Sequence, residues 1–250
     1  KSALAGRRGD AMKRQELLLS NVGREQLEAM RAAGREILDC HRVLERGGLN
    51  IVGEMLRGQG EFVEFEHYPN DDVFDNDSHA QYYYHAHRGE EGEHGHFHTF
   101  LRAPGMPVGM RPVKSTSAEP WPSGDESLPH LIAISMDVYG FPIGLFTVNR
   151  WVTGDAWYVA PNVIGMLDRF EIDHANPSWP ANRWITAMLQ LFRPQIEALI
   201  LERDEAVAAW AARHPGVDVF EDRALEIASR VTISVEAQIA AVEAALKQGD

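Results

Sequence analysis

Cysteine is nearly missing from this chain: Cys40 is the single one among 250 residues. No internal disulfide can form, and zinc sites built on cysteine pairs are excluded. Cys40 lies in REILDCHRVLE, a helical pattern, and reads as a small buried apolar residue. Long apolar runs are missing too; the longest are too short, and too interrupted by charge, to cross a bilayer. Basic residues are the minority, 24 Lys and Arg against 37 Asp and Glu, for a formal charge of −13. Phosphate backbones are bound by clustered Lys and Arg, so neither nucleic acid nor an anionic membrane surface is expected as a partner. No secretory pattern opens the chain, and a cytoplasmic location is expected. A phosphate-binding glycine loop, a dinucleotide fingerprint after a strand, a G-x-S-x-G elbow and an H-E-x-x-H helix are all lacking.

What is present is an ordinary globular composition, 44% apolar and 24% charged, sufficient for a sizeable core. The chain reads as one domain, 1–250, in three stretches. Residues 1–58 are helical: Leu17, Val22, Leu27, Met30, Ala33, Ile37 and Leu38 recur at three- and four-residue steps, and Gly47-Gly48 stops the pattern. Residues 59–152 are β-rich. EFVEFEHYP alternates like a strand that Pro69 ends, and NDDVFDNDS follows as an acidic loop. QYYYHAHR and HGHFHTFLR are aromatic-rich strands, and LIAISMDV and PIGLFTVNRW form a second hairpin around Tyr139-Gly140. The Pro-, Gly- and Ser-rich stretch from Ala103 to Pro129 is a long loop. Residues 153–250 are again helical. Ser178 stands as an N-cap, Pro194 as a kink, and a last helix runs over 221–247 on the stripe Ala228, Val231, Val235, Val242 and Leu246. The expected fold is α+β: a mainly antiparallel sheet of about five strands with N- and C-terminal helices packed on it.

The histidines are unevenly placed: six of the eleven fall between His79 and His98. Strand side chains two apart share a face, so His85 pairs with His87, and His94, His96 and His98 share another row. In an antiparallel hairpin, His87 can face His96 with His85 facing His98. Two residues tighter, His87 faces His94, His85 faces His96 and Tyr83 faces His98. Either register gathers the imidazoles on one face, where opposite Cβ atoms are roughly 4.5–5.5 Å apart. Crowded imidazoles repel one another when protonated and need many partners when neutral and buried; a metal removes both problems. His85, His87, His96 and His98 are therefore the expected metal ligands, with His79 and His130 outside the patch.

Around them, Tyr83 shares the histidine face and is a candidate to hydrogen-bond substrate or act as a redox-active phenol. Glu93, beside the turn, is a candidate general base. His67 and His94 are further candidates to join the site. Arg88, Arg102, Arg150 or Arg183 could orient an acidic substrate. Asp71, Asp72, Asp75 and Asp77 lack the spacing and glycine of a calcium loop and read as a solvated acidic segment.

The first H-x-H, followed by Glu90 and Glu91, resembles the metal motif of cupin-type β-barrels, though only over that local pattern. Over most of the chain, the segments HYPNDDVFDND, QYYYHAHR, EHGHFHTFLR, FTVNRWVTGDAW and SWPANRW resemble a bacterial conserved-domain family without assigned function. That resemblance implies no activity, cofactor or catalytic residue. The residues themselves point to a mononuclear iron, copper or zinc protein. The reading is an enzyme on a small molecule, with a lean toward oxidative chemistry. The alternatives are a non-catalytic metal or haem carrier, or a metal-free interaction protein that dimerises through its terminal helices.

Overall fold

The computed structural model describes residues 17–86, 92–115, 117 and 120–248. After a turn of helix at residues 17–19, Gly23 opens α1 (Arg24–Arg46), which buries Leu27, Met30, Ile37, Cys40 and Leu44 along one stripe. Helix α2 (Ile51–Leu56) is capped by Asn50, whose side chain accepts the Gly53 N–H at 2.7 Å. Six strands then form one antiparallel sheet in sequence order: β1 (Tyr68–Phe74), β2 (Ala80–His85), β3 (Gly95–Leu101), β4 (His130–Met136), β5 (Pro142–Val148) and β6 (Ile227–Thr232). Between β5 and β6 lie α3 (Arg150–Thr153), α4 (Ala160–Met166), α5 (Trp179–Leu191) and α6 (Arg193–Arg213); α7 (Val235–Gln248) follows. The architecture is α+β, as the patterning predicts.

Three local expectations need correction. Residues 61–67 do not form a strand, and the acidic stretch after them does. Phe65 sits at φ 70°. Strand β1 is at the edge of the sheet, where Pro69 needs no N–H partner. Its ladder is bulged: Tyr68 pairs with Tyr84 and Val73 already with Tyr82, with Asp72 at φ 55° between them. The second correction is the sixth strand. Residues 227–232, expected in the last helix, lie along β5. Ile227, Val231 and Thr232 are β-branched, and β5 offers them an unpaired edge. The third is at Pro194. The chain breaks at Phe192 rather than kinking, and Pro194 occupies the first turn of α6, where no intrahelical N–H is needed. Ser178 stands at the N-cap of α5, but its side chain makes no capping bond.

The strands sort side chains to two faces. Tyr82, Phe97, Ile134 and Leu145 point toward the helices and are at most 1% exposed. Tyr82 donates to Asn182 Oδ1 of α5 at 2.6 Å, and the Phe97 and Trp184 rings pack with centroids 5.4 Å apart. Arg183 joins α5 to α1 through Glu36 at 3.1 Å. Helices α1 and α7 touch closely at Gly34, where a Cβ would lie 2.7 Å from Ile239 Cγ1. Ser229 of β6 donates to the Leu199 carbonyl of α6 at 2.8 Å. This helical layer fixes the sheet from behind and leaves the alternate residues of each strand to the opposite face.

Candidate metal centre

The observed register is the tighter one: His85 faces His96 and Tyr83 faces His98. Because His96 and His98 are two residues apart on β3, three imidazoles share one patch. One nitrogen from each of His85, His96 and His98 lies within 4.8 Å of the others, and all three residues are buried. His85 is 8% exposed; His96 and His98 are 0% exposed. His87 lies outside the described residues.

The hydrogen bonds assign tautomers. His96 Nδ1 sits 2.6 Å from Glu93 Oε1, and a carboxylate can only accept, so His96 carries its proton on Nδ1. With the ring neutral, its Nε2 presents a lone pair, and His85 Nε2, 2.8 Å from it, is then the donor. His98 Nδ1 lies 2.9 Å from His130 Nε2. A proton on His98 Nδ1 leaves its Nε2 as the ligand atom, with His130 as acceptor. Carboxylate and imidazole partners behind coordinating histidines fix ring orientation and raise ligand basicity. Zinc with nitrogens at 2.0–2.1 Å in a tetrahedron would hold them roughly 3.3 Å apart. The His85–His96 contact would have to open by about half an ångström, a small side-chain rotation. The donor set fits a transition ion: three imidazoles, each able to present one nitrogen.

Burial holds the surroundings in defined charge states. His130 is pushed down to about 3, by desolvation first and then by Arg203 and His96, so it is neutral. Asp155, which accepts the His130 backbone N–H at 2.8 Å, is pushed up to about 6 by its burial. Hydrogen bonds from His130 and Thr153, together with Arg203 and Arg150, offset part of that rise. The Tyr83 phenol is raised by burial first, then by Asp72 and Asp155. Its ring packs against His85 and His98, each with centroids 5.3 Å away, and lies flat on His67 at 3.6 Å.

Most of the expected residues come together: Tyr83, His85, His96 and His98 on the strands, with Glu93 bonded to His96. His67 covers Tyr83 and pairs through Nδ1 with Asp72 at 2.9 Å, outside the three-nitrogen cluster. His94 departs from the expected row. It precedes β3, and its Nδ1 meets the Tyr84 hydroxyl at 2.5 Å on the helical side. Gly95 makes that possible, since a Cβ there would lie 2.4 Å from the Tyr84 oxygen. His130 is the reverse case, since it belongs beside His98 rather than outside the patch. Two residues, His130 and Leu131, oppose Phe100, and this bulge turns His130 to the histidine face. Of the suggested arginines, Arg88 lies outside the described residues and the other three are engaged elsewhere: Arg150 with Glu221 at 2.8 Å, Arg183 with Glu36, and Arg102 with Glu126 at 3.2 Å. Asp75 is a turn organiser. It accepts the N–H groups of Asp77, Ser78 and Asp173, which hold its carboxyl below the usual range against desolvation.

No helix among the described residues is long and apolar enough to cross a membrane. No curated protein and no solved structure matches the chain. A family model does match, over residues 31–233, and the chain belongs to that family, the domain of unknown function DUF6969.

Proposed function

We propose that this protein is a histidine-ligated mononuclear metalloenzyme in which His85, His96 and His98 hold one transition-metal ion. The observation that carries the reading is the cluster of three buried imidazole nitrogens within 4.8 Å, with Glu93 and His130 behind two of the rings. Three protein ligands leave a position for water or a small molecule, which is the arrangement of catalytic rather than closed structural sites. Zinc there supplies Lewis-acid chemistry, and iron or copper supplies oxidative chemistry.

The chain's own groups divide the remaining work. Glu93 accepts a hydrogen bond from His96 Nδ1–H and so holds the proton on that atom, which keeps its Nε2 available. His130, neutral, accepts from His98. Metal uptake requires the His85 proton to move from Nε2 to Nδ1, so that the Nε2 lone pair is available to the ion. Tyr83 bounds the site and, with Phe146 against His96 at 5.2 Å between centroids, keeps bulk water from the imidazoles. The packed phenol beside two of the imidazoles favours oxidative chemistry over hydrolysis.

Elemental analysis of protein purified without a metal-affinity step tests the reading. Close to one iron, copper or zinc per chain is expected, and the double variant His96→Ala/His98→Ala should carry none. Metal-free protein that also fails to take up added zinc, iron or copper would overturn it.

A further inference from the structure

The register across the sheet extends the site sideways. On the histidine face, His96 is followed across the strands by Ser135, Gly144 and Thr232. His98 is followed by Ala133, Phe146 and Arg230. Small residues, Ser135, Ala133 and Gly144, therefore floor most of the two strands next to the imidazoles, Phe146 rises beside them as a wall, and Thr232 and Arg230 stand at the sheet edge. Between them lies a cleft of about 360 Å³ lined by Glu93, Ser135, Gly144, Phe146, Arg230 and Thr232, among others. One end is Glu93, the residue bonded to His96. The other is Arg230, the one cation among the described lining residues, on the strand at the sheet edge. One wall is apolar, where Phe146 belongs to a cluster with Ala133, Val148 and Ile227.

These features specify a ligand. A guanidinium holds a carboxylate with two parallel hydrogen bonds and does so best beside apolar surface that excludes water. The Ser135 and Thr232 hydroxyls add polar contacts along the floor, and the aromatic wall suits a flat or branched hydrocarbon body. In a chain with 37 acidic residues, an arginine at the mouth of a cleft also makes that place repel anions less than the rest of the surface does. The far end of such a ligand abuts Glu93, one side chain from the imidazole cluster.

We infer that this cleft binds a small organic acid with an apolar body, its carboxylate on Arg230, and that this acid is the substrate class of the metal centre. The substrate assignment rests on the metal reading; the carboxylate site rests on the cleft alone.

Benzoate is the probe, titrated calorimetrically into the full chain with metal content measured on the same samples. Binding at millimolar concentration or tighter is expected, with benzamide weaker by at least roughly tenfold, as loss of a charge-assisted pair requires. Arg230→Gln should weaken benzoate by roughly tenfold to a hundredfold, and Arg230→Lys should fall between. Gly144→Leu fills the floor without touching Arg230. An added Cβ meets only ordinary contacts, 3.4 Å or more away, and the longer side chain enters the cleft, so binding should be lost. Metal content should be the same in all of them. Benzoate bound equally by Arg230→Gln, or not bound at all by the unaltered protein, overturns the inference and leaves the metal reading as it stood. Protein that takes up no added zinc, iron or copper yet still binds benzoate through Arg230 overturns the metal reading and the substrate assignment and keeps the carboxylate site.

Discussion

Truncating His130 separates a positioning role from a merely structural one. His130 is 3% exposed, and its Nε2 lies 2.9 Å from His98 Nδ1. In His130→Ala, the His98 N–H loses its acceptor in a place water does not freely reach, at about 1–3 kcal/mol. The emptied ring space adds a packing loss, and the sum is roughly 3–5 kcal/mol of stability. The metal should feel it as well. Without its partner, His98 can turn and its ligand nitrogen becomes less basic, so affinity should fall about 10- to 100-fold. His130→Gln distinguishes the two effects, because a glutamine amide oxygen reaches to about where Nε2 lies and restores the acceptor but not the ring. It should recover most of the metal affinity and only part of the stability. Urea unfolding of metal-free protein reads the first quantity, and competition against a chelator reads the second. His79, in the turn before β2 at φ 62°, serves as the neutral comparison. If His130→Ala binds metal as tightly as the unaltered protein, or His130→Gln recovers nothing, the link from His130 through His98 to the ion is wrong.

Further tests address other parts of the structure. Single replacement of His85, His96 or His98 by Ala should lower metal affinity, two replacements should abolish stoichiometric binding, and acid should release the ion as protons compete for the same nitrogens; chelator competition across pH checks all three. Asp155 is raised from 3.8 to about 6 in the folded protein. A carboxyl raised on folding stabilises most below its unfolded value, and that contribution is lost as pH climbs from about 4 to 6, about 3 kcal/mol in all. Asp155→Asn should therefore flatten that part of the stability profile in urea unfolding at pH 4, 5 and 7 (roughly spanning that window), and parallel profiles would contradict the assignment. Neutral His130 has the opposite sign. Its folded value near 3 gives stability that is complete above 6.5 and lost as pH falls, so His130→Gln should be less acid-sensitive in the same series. Gly95→Ala should destabilise by about 1–3 kcal/mol or more and separate Tyr84 from His94, since the new Cβ would lie 2.6 Å from the His85 carbonyl; thermal unfolding and the tyrosine ultraviolet spectrum report it.

The histidine face was legible because strand period and residue chemistry agree. H-x-H on two neighbouring strands can only stack on one side, and the polar turn between them limits the register to two choices. The choice between those two depends on the ladder itself. His130 was hidden for a definite reason. Simple alternation puts it in line with Ile132, Ile134 and Met136, facing the helices, and a single extra residue at Leu131 reverses it. Strand β6 is hidden because Ala228, Val231 and Val235 satisfy a helical spacing, while residues 227–232 suit β5's open edge as well, and only the tertiary partner decides. Strand β1 reads as a loop because its acidic residues and Pro69 suit an edge that the sequence does not announce. Arg230 follows from β6: a helix over those residues does not place its arginine across from Phe146, and the strand does.

The strand order also sets a sequence of assembly. Strands β1 to β5 pair with their chain neighbours: the hairpin that carries Tyr83, His85, His96 and His98 closes a short loop, and His130 joins it across the longer connection 102–129. Strand β6 arrives only after residues 149–226 have been accommodated, a closure several times longer. Each doubling of loop length costs only about 0.6 kcal/mol, but long-range pairing slows folding far more than it weakens the product. Histidines therefore gather early and the arginine late. On the metal reading, a nascent chain could meet its ion while β5 is still the edge of the sheet, and the last strand would then complete the cleft.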